Sequence, residues 1–338
     1  MTKTIEDVAA LAGVSRSTAS RALSGHPSVH PATRERVQAA AAQLNYQVDA
    51  VARALRAGSS GLIGVVLTNL VNASIQAIAT TIQNRGHASG YEALVATTNN
   101  DPDREREIVN RLRGHRVDGV IVMGTGGNTA MLNELDRSGF PVVAMIRLPR
   151  GVQTSAVVYD DRHAAELATG HLLAKGHRRI AFLGGPASTR SGRERYAGYV
   201  RGLRGHGLTP QSEMVVRAPF EPEFGGKAVA ELLGAAQRPT ALIAANHEAT
   251  SGAMQELGRL GVVIPEELSV VAIEDSDLLR FWHPAVTVVD TDPISLGERA
   301  LDTLLARLTG ETPDGQTATQ VVGSQLLERS STSPLSRR

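Results

Sequence analysis

Apolar positions in the first sixty residues recur at helical spacing, and from Gly61 onward they gather into short continuous runs. Ile5, Val8, Ala9 and Ala12 form one face of a first helix. Gly13 can take the positive-φ conformation that ends it. Ser15 then stands where a second helix needs its N-cap. Ala19, Ala22 and Leu23 repeat the spacing and pack the second helix on the first. Its outward face carries Arg16, Ser17, Ser20 and Arg21, residue types that reach base edges and phosphates. A short basic face on the second helix of a helix-turn-helix suits a DNA major groove; a plain αα-hairpin with a solvated basic face gives the same pattern. Residues 31–44 predict a third helix, with Pro31 at its first turn and Arg34 near its start. Leu44 and Tyr46 close a small three-helix core. Residues 49–57 have high helix propensity but span only about two turns, so that segment needs a partner to be ordered. Residues 58–61 are a linker by composition.

Beyond Gly61, apolar β-branched runs recur at 62–67, 93–96, 119–123, 142–146, 180–183, 214–216, 241–244 and 270–273, with amphipathic helices between most of them. Such runs, bounded by Gly and Pro, suit parallel strands buried on both faces. The alternation predicts doubly wound α/β units. Roughly 270 residues exceed what one such sheet holds, so two subdomains are expected. Ligands of open α/β sheets bind beyond the carboxyl ends of the strands.

Composition narrows the function. The chain has 338 residues, 42% of them hydrophobic, which is enough for sizeable cores in two or more domains. No apolar run is long enough to span a bilayer and no N-terminal signal peptide is visible, so no membrane partner is expected. The absence of Cys excludes disulfides and thiolate chemistry and fits the cytoplasm. The net charge of +1 hides an asymmetry: residues 1–58 hold seven Lys/Arg against four Asp/Glu, and the remainder is slightly acidic. The basic excess sits where phosphate contact would need it. Aromatics at 3% argue against single-strand stacking platforms. The Gly-rich turn at 124–128 lacks full dinucleotide-binding spacing and reads as a loop. Neither G-x-S-x-G nor metal-ligand spacing occurs, so no enzyme activity, cofactor or metal is expected. The basic run 175–179 reads as a helix C-terminus turning into a strand.

The run 4–61 resembles the DNA-binding headpiece and hinge of the lactose/galactose repressor (LacI/GalR) family. The resemblance continues through GLIGVVL at 61–67, DPDREREIVNRL at 101–112, VDGVIV at 117–122, KGHRRIAFLGGP at 175–186, RERYAGYVRGL at 193–203, IPEELSVVAIED at 264–275 and LLERSST at 326–332. It implies an α/β protein. A three-helix helix-turn-helix headpiece spans 1–47, and a hinge helix and linker span 48–60. A two-lobed core like the periplasmic sugar-binding proteins spans 61–332, with a tail over 333–338. Its lobes would take about 61–159 with 292–319 and about 162–289 with 320–332, crossing near 158–161, 289–292 and 319–321.

The same resemblance implies a cytoplasmic, nucleoid-associated repressor. It would work as a homodimer, or as a tetramer, on a pseudo-palindromic operator in double-stranded DNA. Ser15, Arg16, Ser17, Thr18, Ser20, Arg21, Arg34 and Tyr46 would meet DNA, with Ala54 and Leu55 of the hinge. Ala50, Ala52 and Ala54 are small enough for two hinges to pack, and Leu55 would wedge into the minor groove and kink the duplex. A sugar-like effector would lie between the lobes, touching Ser74, Ile75, Thr125, Arg147, Arg195, Phe220, Asn246, His247 and Glu274.

Departures from the family cluster at this input end. Where many relatives read Ser-Asn-Pro-Phe-Phe, this chain has Val71, Asn72, Ala73, Ser74 and Ile75, so both aromatics are gone. Ile146 precedes Arg147 where many carry Asp-Arg, and His247 replaces an Asp after Asn246. Two carboxylates are lost and a group that titrates near neutral pH is gained. Such a pocket points away from a simple neutral hexose. It points to a ligand with an anionic group, a sugar phosphate or sugar acid, or to a pocket that takes nothing small. In the hinge, Val48 and Asp49 replace Pro-Asn, which removes a fixed φ and adds an acidic cap.

Overall fold

The computed structural model describes residues 3–46, 59–218, 221–311 and 317–335. The hinge segment 47–58, with Ala54 and Leu55, and Phe220 lie outside the described residues. The chain divides into two compact units, Met1–Gly61 and Leu62–Arg338.

In the first unit, α1 (Ile5–Ala12) opens on a capping box: the Thr4 side chain accepts from the Asp7 amide, and the Asp7 carboxylate accepts from the Thr4 amide at 2.9 Å. Gly13, at φ 63°, ends the helix in the left-handed region. Ser15 Oγ accepts from the Thr18 amide at 3.1 Å and starts α2 (Arg16–Leu23). α3 (Pro31–Gln43) begins on Pro31. Val8, Ala9, Ala12, Ala19, Ala22, Val37, Ala40 and Ala41 make the core, with Leu44 and Tyr46 packed against it. Val29, buried in the loop before α3, also belongs to the core; a lone apolar loop residue has no period to announce it.

The second unit holds two six-stranded sheets. The first contains β1 (Leu62–Leu67), β2 (Glu92–Thr97), β3 (Gly119–Val122), β4 (Val142–Met145), β5 (Ser155–Tyr159) and β11 (Thr319–Val322), in the order β11-β5-β4-β3-β1-β2. The second contains β6 (Ile180–Gly184), β7 (Val215–Arg217), β8 (Ala241–Ala244), β9 (Ser269–Ile273), β10 (Thr287–Asp290) and β12 (Gln325–Leu327), in the order β12-β10-β9-β8-β6-β7. All pairings are parallel except β10 with β12, where a short return strand closes the sheet edge. β3, β4, β5, β6, β8 and β9 are buried along their whole length, as helix-covered sheets require. The edge run expected at 214–216 begins later: Ser212–Met214 form a 3-10 turn and β7 follows it.

The helices follow their strands. In the first lobe these are α4 (Ala73–Ala88), α5 (Pro102–Gly114) and α6 (Thr129–Arg137). In the second they are α7 (Asp161–Ala174), α8 (Arg190–Arg204), α9 (Pro222–Gly234), α10 (His247–Leu260) and α11 (Asp277–Phe281). α12 (Pro293–Leu308) returns to pack on α4. The chain passes between sheets after β5, after β10 and at Gly323–Ser324. Residues 319–321 lie inside β11, so the first sheet keeps the chain three residues beyond the expected lobe boundary at 319. A strand paired along Ala156–Tyr159 cannot leave its sheet midway.

The two sheets share one strand order. β4 therefore occupies in one lobe the post that β9 occupies in the other. The residues just beyond them, Ile146 at φ 59° and Glu274 at φ 83°, both adopt the left-handed conformation. For a β-branched residue this is a true outlier, and it costs on the order of 1–2 kcal/mol.

Candidate functional site

On the headpiece, Ser15, Arg16, Ser17 and Arg21 are exposed, and Thr18 and Ser20 are half-buried. Arg16 Nε meets Glu6 at 3.0 Å, but both side chains are more than half exposed, so the pair is weak and exchangeable. Arg21 Nε donates to the Ser17 carbonyl at 3.2 Å. Arg34, expected to meet phosphate, donates from its Nη2 to the His26 carbonyl at 2.9 Å and the Gly25 carbonyl at 3.4 Å. It braces the turn between α2 and α3. Tyr46 is half-buried against the three-helix core.

In the core unit, candidate residues gather at the carboxyl ends of the central strands. The β8–β9 register pairs Ala244 with Ala272, so Asn246 and Glu274 stand side by side two residues further on. The β3–β4 register pairs Val122 with Ala144 and sets Thr125 near Arg147 in the same way. Arg195 projects from α8 and is 4% exposed. Its Nε donates to Asp161 Oδ1 at 2.8 Å, and its Nη1 to Glu274 Oε1 at 3.0 Å and the Ala245 carbonyl at 2.6 Å. Arg190 Nη1 donates to Asp161 Oδ2 at 2.9 Å and the Tyr159 carbonyl at 3.2 Å. Glu274 Oε2 accepts from Asn72 Nδ2 at 3.0 Å, a bond that joins the lobes.

Burial dominates the electrostatics here. It pushes the Asp161 carboxyl up, against the pull of Arg195 and Arg190. It also opposes the charge on Arg195, but Asp161 and Glu274 outweigh it and hold that guanidinium above its ordinary range. Arg147 donates from Nη1 to Asn100 Oδ1 at 2.6 Å. Burial lowers its pKa, and Glu248, Glu274 and Glu105 counter that.

Ser74, His247 and Glu274 line one cavity with Asn72 and Thr250, of about 20 Å³ measured to the centre of a water molecule. That is room for about one water. Asn246 lies behind it: its Oδ1 accepts from the Ala249 amide at 2.8 Å and caps α10. Thr125 donates its amide to Glu105 at 2.6 Å, and its hydroxyl is buried without a partner among the described residues. Ile75, expected to touch the effector, sits next to the cavity-lining Ser74. It is 4% exposed and packs in the first lobe's core with Ile63 and Ile78, because Ile75, Ile78 and Ile82 form the α4 stripe that faces the sheet.

Four residues of this network were not anticipated: Asn72, Asp161, Arg190 and Glu105. Glu105 had a readable signal. It shares the period of Val109 and Leu112, so the helix carries a carboxylate at a core position, and it is fully buried against Thr125 and Asn128. Asp161 and Arg190 had none, since their meeting depends on tertiary packing. Among the described residues no group of three His, Cys, Asp or Glu could hold a metal ion, and no helix is long and apolar enough to cross a membrane.

Comparison with known proteins agrees with both units. Residues 4–49 match the model of bacterial regulatory proteins, lacI family, and residues 169–332 match that of the periplasmic binding protein-like domain. The HTH-type transcriptional repressor PurR of Haemophilus influenzae (strain PittEE) is 32% identical over 308 residues, covering 90% of this chain and 91% of that protein. The PurR repressor of Proteus mirabilis (strain HI4320) is 30% identical over 97% of this chain and 96% of its own length. Among solved structures, the Lac repressor dimer bound to operator and the anti-inducer ONPF superposes with a TM-score of 0.84 at 27% identity, covering 98% of this chain and all of that one. The complex of the transcriptional regulator CelR with cellobiose gives a TM-score of 0.74 at 30% identity, covering 97% of this chain and 99% of that one.

Proposed function

Because this chain belongs to the lacI family of bacterial regulatory proteins, and is a DNA-binding transcriptional repressor with a periplasmic-binding-protein-like ligand domain, we propose that it acts in the cytoplasm as a homodimer whose operator affinity answers to a small sugar-like ligand held between its lobes. Two-fold symmetry would make the operator a pseudo-palindrome. α2 would lie in the major groove, with Arg16 and Ser17 reading bases and Ser15, Thr18, Ser20 and Arg21 fixing its position. Leu55 of the hinge would enter the minor groove. Dimerisation and a sugar ligand are supported by solved relatives described as a repressor dimer on its operator and as a cellobiose complex.

One observation carries the ligand reading: the Asn72–Glu274 bond ties two lobes whose remaining polar residues, Arg195, Asn246, His247 and Thr125, converge on the same strand ends. A ligand that exchanges with that bond would bias how the lobes close. Through the linker it would bias the pairing of two marginal hinge helices. Arg16→Ala should relax base preference at one position of each half-site and cost about 1–3 kcal/mol. Quantitative binding to a panel of half-site variants checks this.

A second reading is favoured by the cavity of about 20 Å³ and by the pairing of Arg195 within the chain: the regulator binds operator with a cleft that answers to no small sugar. Isothermal titration against a sugar panel separates the two, since heat and altered operator affinity appear only under the first. Homologues are repressors and not enzymes, so neither reading invokes catalysis.

A further inference from the structure

Glu274 keeps its place in the cleft at a conformational cost. At φ 83° it lies in the left-handed region, which a residue other than Gly holds only where its surroundings impose it. Ahead of the side chain, its own amide donates to the Val289 carbonyl of β10 at 3.0 Å. Behind it stands Asp275, whose side chain is 5% exposed. Asp275 Oδ1 accepts from the Ser276 amide at 2.9 Å, and Oδ2 from Arg280 Nε at 3.0 Å. Both donors belong to the loop between β9 and β10, residues 274–286, so they travel with it. Asp275, Ser276, Leu278 and Leu279 of this loop line the inter-lobe cavity beside Glu274.

Arg329 reaches Asp275 from outside the loop. Its Nη1 and Nη2 meet the two carboxylate oxygens at 2.9 and 2.7 Å, a fork-to-fork pair, and Nη1 also donates to the Val286 carbonyl at 2.9 Å. The segment that carries Arg329 is fixed to the second sheet. The Arg329 amide donates to Thr287 Oγ1 at 3.0 Å. Ser331 is fully buried; its hydroxyl donates to the Val270 carbonyl at 2.6 Å and accepts from the Thr287 amide at 2.8 Å, and its carbonyl accepts from the Val270 amide at 2.9 Å. The Ser333 amide donates to Ser269 Oγ at 3.1 Å. β9 and β10 thus hold this segment, and the segment holds the loop between them.

We infer that Arg329 is a positioning residue of the cleft. It does not line the cavity. It fixes Asp275, and so keeps Glu274 in the left-handed conformation from which one carboxylate reaches both Asn72 of the opposite lobe and Arg195 of its own. Without Arg329, Asp275 keeps only partners that move with the loop. Glu274 is then free to relax to negative φ and to draw its carboxylate away from Asn72. A lysine at 329 supplies the charge but not the paired bonds. This role is the same whether or not the cleft answers to a sugar.

A double-mutant cycle on the full-length protein tests whether Arg329 acts through the Asn72–Glu274 bond. Asn72→Ser keeps a hydroxyl N-cap on α4 and removes the donor to Glu274. The shift in denaturant midpoint that Asn72→Ser causes in the parent chain should fall to about half or less in the Arg329→Gln background. With Arg329→Lys the shift should lie between the two. Amide exchange gives a local readout: Arg329→Gln should speed exchange across 275–282 by about tenfold or more and leave β6 unchanged. Emission from Trp282, the single tryptophan of the chain and the residue that ends α11, should move with it. If Arg329→Gln does not fold, Asp275→Asn takes its place in the cycle, since it keeps the side chain's shape and loses the ion pair. An equal midpoint shift in both backgrounds would make Arg329 a brace of its own lobe alone and overturn the inference, as would unchanged exchange across 275–282.

Discussion

Arg195 joins more of the cleft than any other side chain: it meets one carboxylate from a lobe crossing, another from a strand end, and a carbonyl. Removing it leaves Asp161, 1% exposed, and Glu274 without their main counter-charge. Arg195→Ala should therefore destabilise the chain by about 3–5 kcal/mol, and Arg195→Lys should recover only part, because a point charge cannot serve Asp161 and Glu274 in fixed fork geometry. Chemical denaturation of both variants measures it. The residue itself was legible from the motif around Tyr196 and Gly198, and its partners were not. Asp161 is 34 positions away and Glu274 is 79. Ile75 had two readings in the sequence: the motif placed it by the ligand, and the α4 stripe with Ile78 and Ile82 gives it a core position as well.

At the scale of elements, periodicity carried far. Buried strands such as β1 and β8 announce themselves as unbroken β-branched runs, and α2 announces its exposed basic face. Edges and crossings do not: β7 starts late, β11 runs on, and β12 pairs antiparallel, because those choices are made by neighbours and not by the strand. Helix contacts give a sharp prediction. A Cβ on Gly198 of α8 would lie 2.1 Å from the Arg162 carbonyl of α7. Gly198→Ala should push the two helices apart, cost about 1–3 kcal/mol, and lower the melting temperature.

The segment that ends α7 also sets a pH limit. His177 is buried, with its ring nitrogens meeting the Thr240 hydroxyl at 3.0 Å and the Ser333 carbonyl at 3.1 Å. Burial lowers its pKa in spite of the Ser333 contact, and His171 shifts the same way. The unfolded chain therefore takes up protons first as the pH falls. Stability is full above pH about 6.5 and declines below it. Asp275, lowered by Arg329 and Arg280 against its own burial, adds a loss only below about pH 4. Melting curves from pH 8 to pH 4 should show the first decline, and His177→Gln should flatten it.

For the molecule as a whole, fold class and two-part organisation were readable because each unit repeats one local grammar: short helices before Gly61, strand and helix after it. What stayed hidden is how the lobes close, since the Asn72–Glu274 bond joins residues 202 positions apart on opposite walls of one cleft. The central claim is that residues 1–58 confer sequence-specific binding on a core that does not itself bind DNA. It is tested by selecting bound sequences from random duplexes with the full chain, then measuring affinity by fluorescence anisotropy. A two-fold symmetric site should emerge, bound about a thousandfold or more tighter than scrambled DNA at physiological salt, and a chain lacking residues 1–58 should not bind it. Recovery of no common sequence, or equal affinity for the chain without those residues, would contradict the account.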